Sequence, residues 1–207
     1  MTDGLILIDK PSGITSFGVV ARVRRILSKQ QGKKVKVGHC GTLDPFATGL
    51  MMIVVGKECK NAGAYTKLDK WYEATITLGA ISTTGDPEGE ITAVAQAKPI
   101  EKKEILATLV RFTGEIAQRP PIFSAIKING QRAYKMAREG REVEIPERQV
   151  MIYALEMVDY TYPELTIRVH VSSGTYIRSL AVDIGAALGV GAYCSQLRRT
   201  SIAEWSV

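Results

Sequence analysis

Two stretches of this chain alternate so regularly that only extended backbone suits them. Tyr72, Ala74, Ile76 and Leu78 share one parity of the segment 71–78, and Leu165, Ile167, Val169 and Val171 share one parity of 165–171. Successive side chains of a strand point to opposite faces, so each segment is predicted to be a strand with one buried face. That pattern belongs to antiparallel or mixed sheets, because strands of a buried parallel sheet read as unbroken apolar runs. The neighbouring segments fill in around this sheet. Gly4 to Asp9 predicts a buried strand stopped by Lys10-Pro11-Ser12-Gly13, and Thr15 or Ser16 can cap a helix running to about Leu27. Leu50 to Val55 predicts a second apolar strand, followed by a short helix near Cys59 to Tyr65. Ile100 to Phe112 has helical spacing, Ala133 to Arg138 predicts a shorter helix ended by Gly140, and Glu142 to Tyr160 supplies strands around Pro146. A last helix is predicted from about Thr175 to Leu188, with Ile177, Leu180, Ala181, Ile184 and Leu188 in one apolar stripe. Strands outnumber helices without βαβ regularity, so the expected class is α+β: a central mixed, largely antiparallel sheet flanked by helices and loops. No repeat or linker divides the 207 residues, which read as one domain over 1–207.

Composition narrows the class of function. A hydrophobic fraction of 45% with 23% charged residues is that of an ordinary globular chain. No apolar run approaches the roughly 20 residues that span a bilayer, and the first residues lack a signal-peptide pattern, so no membrane and a cytoplasmic address are expected. Cys40, Cys59 and Cys194 are odd in number and far apart, and only His39 and His170 accompany them. Neither a disulfide framework nor a metal site is expected from such spacing. The charge is uneven: residues 1–70 hold 12 Lys/Arg against 5 Asp/Glu, while the remainder holds 15 against 16. Arg22, Arg24, Arg25, Lys29, Lys33, Lys34 and Lys36 follow one another without an acidic residue between them. This is either the footprint of a polyanion partner or a solvated basic helix face.

Two loops carry the unusual chemistry. In Val37-Gly38-His39-Cys40-Gly41-Thr42-Leu43-Asp44-Pro45-Phe46-Ala47-Thr48-Gly49, three glycines and a proline surround one carboxylate. Proline biases Asp44 towards extended backbone, and the glycines permit close approach of another backbone or a ligand. Asp before Pro also opens ordinary turns, so Asp44 alone leaves both roles open. In Ser173-Gly174-Thr175-Tyr176-Ile177-Arg178 the last helix begins with a cation in its first turn. This placement opposes the helix dipole unless an anion sits opposite, for which Asp44 is one candidate; otherwise Arg178 leans back into solvent. Tyr72 and Tyr176 are either base-stacking faces or core aromatics. His39 and Cys40 are adjacent and point opposite ways on extended backbone, which argues against a thiol catalytic pair. Gly56-Lys57 and Gly32-Lys33-Lys34 lack phosphate-loop spacing, so no nucleotide site is expected.

These motifs, in order, resemble the TruB-type pseudouridine synthases, bacterial tRNA pseudouridine-55 synthases, along nearly the whole chain. The resemblance is carried by Asp9-Lys10-Pro11-Ser12-Gly13-Ile14-Thr15-Ser16, by Gly38 to Pro45 with Gly49-Leu50, and by Lys70-Trp71-Tyr72-Glu73 with Thr83-Thr84-Gly85-Asp86. Pro120 to Lys127 with Gly130 and Ala133-Tyr134, then Gly174 to Leu180, and finally Leu197-Arg198-Arg199-Thr200 complete it.

The resemblance implies a tRNA-modifying isomerase that turns uridine 55 of the T loop into pseudouridine, with no cofactor and no metal. Asp44 is then the catalytic aspartate, acting on the uridine C1′ or on the base, and Arg178 is its pairing partner. Tyr72 stacks on the flipped uracil, and Tyr176 lies at the base of the site with a part in the final proton transfer. Lys10 and Pro11 support the pocket, and His39 fills the space left by extruded bases. The RNA-binding set is then His39, Lys10, Pro11, Arg22, Arg24, Arg25, Lys33, Lys34, Lys127 and Arg198, and we read the basic run from Arg22 to Lys36 as the part that holds phosphates of the T-stem loop. A monomer without a protein partner is expected. Two departures accompany the match: Cys40 stands where a small Thr or Ala is expected, and the chain closes at Val207 where family members continue into a C-terminal RNA-binding, PUA-like module. A non-catalytic tRNA-binding or folding module is the competing reading; it would leave Asp44 dispensable.

Overall fold

The structure, a computed structural model, describes residues 3–124, 126–128, 131–133, 136, 139 and 145–207, of which 127, 128 and 132 by their main chain alone. The predicted helix over 133–138 and the start of the strands predicted from 142 fall largely outside those residues. In chain order the elements are β1 (Gly4–Lys10), α1 (Ser16–Gln31), β2 (Val37–His39), β3 (Thr48–Val55), a 3-10 turn (Gly56–Lys60) and α2 (Ala62–Thr66). Next come β4 (Lys70–Leu78), β5 (Ala80–Ser82), β6 (Ile91–Ala93), α3 (Lys102–Arg111), β7 (Gly114–Gln118), β8 (Lys127–Ile128) and β9 (Gln131–Arg132). The chain finishes with β10 (Arg148–Thr161), β11 (Glu164–Val171), α4 (Ile177–Ala187), β12 (Ala192–Ile202) and β13 (Trp205–Ser206). The α+β class and the largely antiparallel sheet are as expected from the alternation. The β1–β3, β2–β3, β7–β10, β10–β11 and β12–β13 pairs are antiparallel, and β3–β12 is parallel.

The residues cluster into two compact units, Met1–Glu73 with Leu197–Val207, and Ala74–Gln196. In the first, Cys40, Leu50, Met52, Val54 and Ile202 form a buried cluster, with Leu5, Tyr65, Leu68 and Trp205 packed on it. Each such side chain contributes about 1.5–3 kcal/mol when fully buried. Tyr65 meets Trp205 edge to face, with ring centroids 6.3 Å apart. Helix α1 starts where expected: the Thr15 hydroxyl accepts the Gly18 N–H at 3.0 Å, and Gly32 closes the helix in the left-handed region at φ 64°. The expectation of a buried β1 needs correction. Leu7 is 41% exposed, and β1 pairs with β3 at the end of the strand order. A four-residue apolar run does not distinguish burial on both faces from an edge strand.

In the second unit the alternating faces behave as the periodicity predicts. Ile76 and Leu78 of β4 and Leu165, Ile167, Val169 and Val171 of β11 are buried. Helix α4 turns Ile177, Leu180, Ala181 and Ile184 inward, and α3 buries Ile105 and Leu109. Strand β10 is irregular, with register shifts at Ile152/Ala154 and Met157/Asp159 against β11. The Tyr160 hydroxyl closes the approach to α3 by donating to the Ile100 carbonyl at 2.8 Å and accepting its N–H at 3.1 Å.

Candidate active site

Asp44 sits on the loop between β2 and β3, half-buried, and its main-chain surroundings are pinned from both sides. Ahead of it, the Ser16 hydroxyl donates to the Leu43 carbonyl and accepts the Leu43 N–H, each at 2.8 Å. Behind it, the Pro45 carbonyl accepts the Gly13 N–H at 2.8 Å, and the Ser12 hydroxyl donates to the Phe46 carbonyl at 3.0 Å. The Asp44 carbonyl itself accepts the Ala47 N–H at 3.2 Å, closing a turn. The segment Lys10 to Ser16 is therefore a cradle for the loop that carries Asp44.

Lys10 belongs to that cradle rather than to a surface. Its side chain is wholly buried, and its ammonium donates to the carbonyls of Ile14 at 2.8 Å, Pro11 at 2.9 Å and Pro45 at 3.2 Å. Burying an ammonium costs several kcal/mol unless its donors are met, and three carbonyls meet them here. Lys10, read from the sequence as RNA-binding, thus points its ammonium into the protein. Pro11 is exposed.

The far end of the loop is held by a residue that the sequence reading named within a motif but gave no role. Arg199, 1% exposed, donates from Nε to the Leu50 carbonyl at 2.7 Å and from a terminal nitrogen to the Gly41 carbonyl at 3.1 Å. Strand β12 pairs in parallel with β3, with Arg198 opposite Thr48 and Arg199 opposite Gly49. The alternation of β12 contained the signal, since Arg199 shares its parity with the inward-facing Leu197. Beside it Lys70 is also buried, donating to the carbonyls of Thr66 and Leu68. Burial, aided by the neighbouring Arg199 charge, brings the Lys70 ammonium from 10.5 down to about 8.

Other expected site residues of this unit fall as follows. Tyr72 is 7% exposed on the buried face of β4. His39 ends β2 opposite Ile53. Cys40 is fully buried, and burial pushes its thiol up, as befits a core residue rather than a nucleophile. Of the basic run, Arg22, Arg25, Lys33 and Lys34 are exposed, whereas Arg24 is partly buried and donates to the Val37 carbonyl at 3.1 Å. Arg198 forms a two-pronged pair with Asp9 at 3.0 and 2.7 Å, and its hydrogen bonds hold the Asp9 carboxyl below its ordinary value.

In the second unit, Arg178 does not lean into solvent. It is buried and donates to the Asp86 carboxylate at 2.8 Å, to the Phe123 carbonyl at 2.9 Å and to the Thr84 carbonyl at 3.1 Å. The same carboxylate accepts the Glu88 N–H at 3.0 Å and the Thr84 hydroxyl at 2.5 Å. Thus Arg178 holds the carboxylate of Asp86, a residue named in the sequence only as part of a motif. Tyr176 is fixed by Gln118, whose amide accepts the Tyr176 N–H at 2.8 Å and donates to the Tyr176 carbonyl at 3.0 Å. The side chain of Lys127, on β8, lies outside the described residues.

The sequence model of the TruB family pseudouridylate synthases (N terminal domain) matches residues 24–177, which include the Asp44 loop and reach Tyr176. The chain belongs to this family. Members of the TruB family are isomerases. Several curated relatives carry the name tRNA pseudouridine synthase B. The one from Corynebacterium glutamicum is 43% identical over 99% of this chain and 68% of its own length. The one from Dehalococcoides mccartyi is 44% identical over 99% and 67%, and the one from Thermobifida fusca 44% over 100% and 72%. Among solved structures, a chain of a Cbf5-Nop10-Gar1 complex superimposes with a TM-score of 0.73 at 33% identity, covering 98% of this chain and 50% of that one. A chain of an H/ACA RNP bound to a substrate RNA containing 2′-deoxyuridine gives 0.71 at 30%, covering 98% and 48%. This chain thus spans about two thirds of the curated relatives and about half of the solved chains.

Proposed function

We propose that the chain is a tRNA pseudouridine synthase that isomerises uridine 55 in the T loop, with Asp44 as the catalytic carboxylate and Arg178, Tyr72 and Tyr176 completing the catalytic set. The observation that carries this reading is the pinning of the Asp44 loop by Lys10, Ser12, Gly13 and Ser16 on one side and Arg199 on the other. A loop braced in this way suits a carboxylate that must be held in one position, since preorganised groups need no rearrangement as charge develops. The names of the relatives support tRNA as substrate.

The chemistry matches these parts. The bond between N1 and C1′ breaks, the uracil turns, C5 bonds to C1′, and C5 gives up its hydrogen while N1 gains one, so no atom is gained or lost overall. The base must first leave its stack, at a cost of a few kcal/mol that is least in a loop. Tyr72 stacks on the extruded uracil, and Tyr176 lies under it with a part in the closing proton transfer. His39 fills the opened loop, while Arg22, Arg25, Lys33, Lys34, Lys127 and Arg198 meet phosphates. The enzyme acts as a monomer, without cofactor or protein partner.

The test is release of tritium from a tRNA transcript labelled at C5 of uridine, wild type beside Asp44→Asn. Release by the wild type alone is expected. Binding of tRNA without release by either protein would instead favour a tRNA-folding module.

A further inference from the structure

Strands β7 and β10 place Gln118 and Arg148 directly opposite each other. Side chains at such a pair share one face of the sheet. Here both converge on Tyr176. Gln118, fully buried, holds the Tyr176 N–H and carbonyl, and the Arg148 guanidinium carbon lies 5.0 Å from the centre of the Tyr176 ring. The space for that guanidinium is left by Gly174, at φ +89°, where a Cβ would lie 3.3–3.5 Å from three guanidinium atoms.

The cation is otherwise little used. Among the described residues, the buried Nε and one buried terminal nitrogen of Arg148 have no hydrogen-bond partner. Buried donors left unspent are uncommon and costly, and they recur where a residue is kept for function. A cation on an aromatic face gains most when both are shielded from water. The interaction also fixes the plane of the ring, which hydrogen bonds to the main chain alone do not.

We infer that Arg148 is a positioning residue for Tyr176, setting the ring plane while Gln118 sets the main chain, so that the proposed isomerisation meets Tyr176 in one orientation. The inference rests on the proposed function for its effect on rate, but not for the contact itself. Two measurements on the full chain separate the two. First, Tyr176 is labelled as 3-fluorotyrosine and its fluorine resonance is assigned by its loss in Tyr176→Phe. That resonance is expected to shift in Arg148→Met, and an unmoved resonance overturns the inference even if the chain modifies no RNA. Second, single-turnover tritium release is measured at saturating enzyme. Arg148→Met is expected to slow it about 10–30-fold, with half-saturation shifting less than about twofold. Arg148→Lys, which keeps the charge but not the planar stack, is expected to recover part of the loss and serves where Arg148→Met folds poorly. A wild-type rate in both variants, or a loss confined to half-saturation, overturns the inference. No release by the wild type overturns the proposed function and leaves the fluorine result to decide the contact.

Discussion

Gly49 has no side chain because the backbone of Arg199 occupies its place. A Cβ there would lie 2.8 Å from the Arg199 nitrogen and 2.9 Å from its carbonyl carbon, and Gly49 stands at φ +102°, where L side chains are strained. Gly49→Ala therefore meets steric and conformational cost at once, with no flexible neighbour to yield. A loss of about 2–4 kcal/mol is expected, read by urea denaturation at constant m-value. Stability within about 0.5 kcal/mol of wild type would show that β3 and β12 can part without penalty.

The Arg178–Asp86 pair yields a second expectation. Both side chains are under 5% exposed, so removing one charge strands the other. Asp86→Asn should cost about 3–5 kcal/mol, while replacing both residues together by Leu and Met should cost less than the sum of the single changes. Additive losses in that double-mutant cycle would mean the two charges stabilise the fold independently.

Lys70 links stability to alkaline pH. Its folded value near 8 lies below the ordinary 10.5, so between those values the unfolded chain holds a proton that the folded chain has released. Stability then rises with pH across that window, since the burial penalty of the ammonium is relieved. Wild-type stability should climb relative to Lys70→Met from about pH 8 to 10.5. Parallel curves would remove Lys70 as the source.

Neutralising Arg25, Lys33 and Lys34, all exposed, should lower the salt dependence of tRNA binding by about 2 in slope. Arg24→Ala should act chiefly on stability, because its side chain holds the Val37 carbonyl. An equal slope change from Arg24→Ala alone would reverse that division.

Much of this was legible in the sequence where periodicity was strong. The alternation of 71–78 and 165–171 gave two strands with the correct inward faces, and Thr15 marked the start of the basic helix, which runs beyond the expected end near Leu27 to Gln31. What escaped was long range. That Ser16 serves Leu43, or that Arg199 reaches Gly41 and Leu50, depends on segments 27 to 158 residues apart, and no local pattern encodes such a meeting. Arg178 illustrates the same limit. A cation in a first helical turn left open whether it meets an anion or solvent, and the Asp86 carboxylate reaches it through the turn at Thr84 to Glu88.

The cradle around Asp44 also bears on where ordering takes place. Every anchor of the loop, from the buried ammonium of Lys10 to the guanidinium of Arg199, is intramolecular and set as the chain folds. Fixing a residue's backbone costs about 1–2 kcal/mol of entropy, and here that loss is met before any RNA arrives. An incoming nucleotide would then surrender only its own freedom, and differences in its fit would register in the encounter itself rather than be absorbed by a yielding loop.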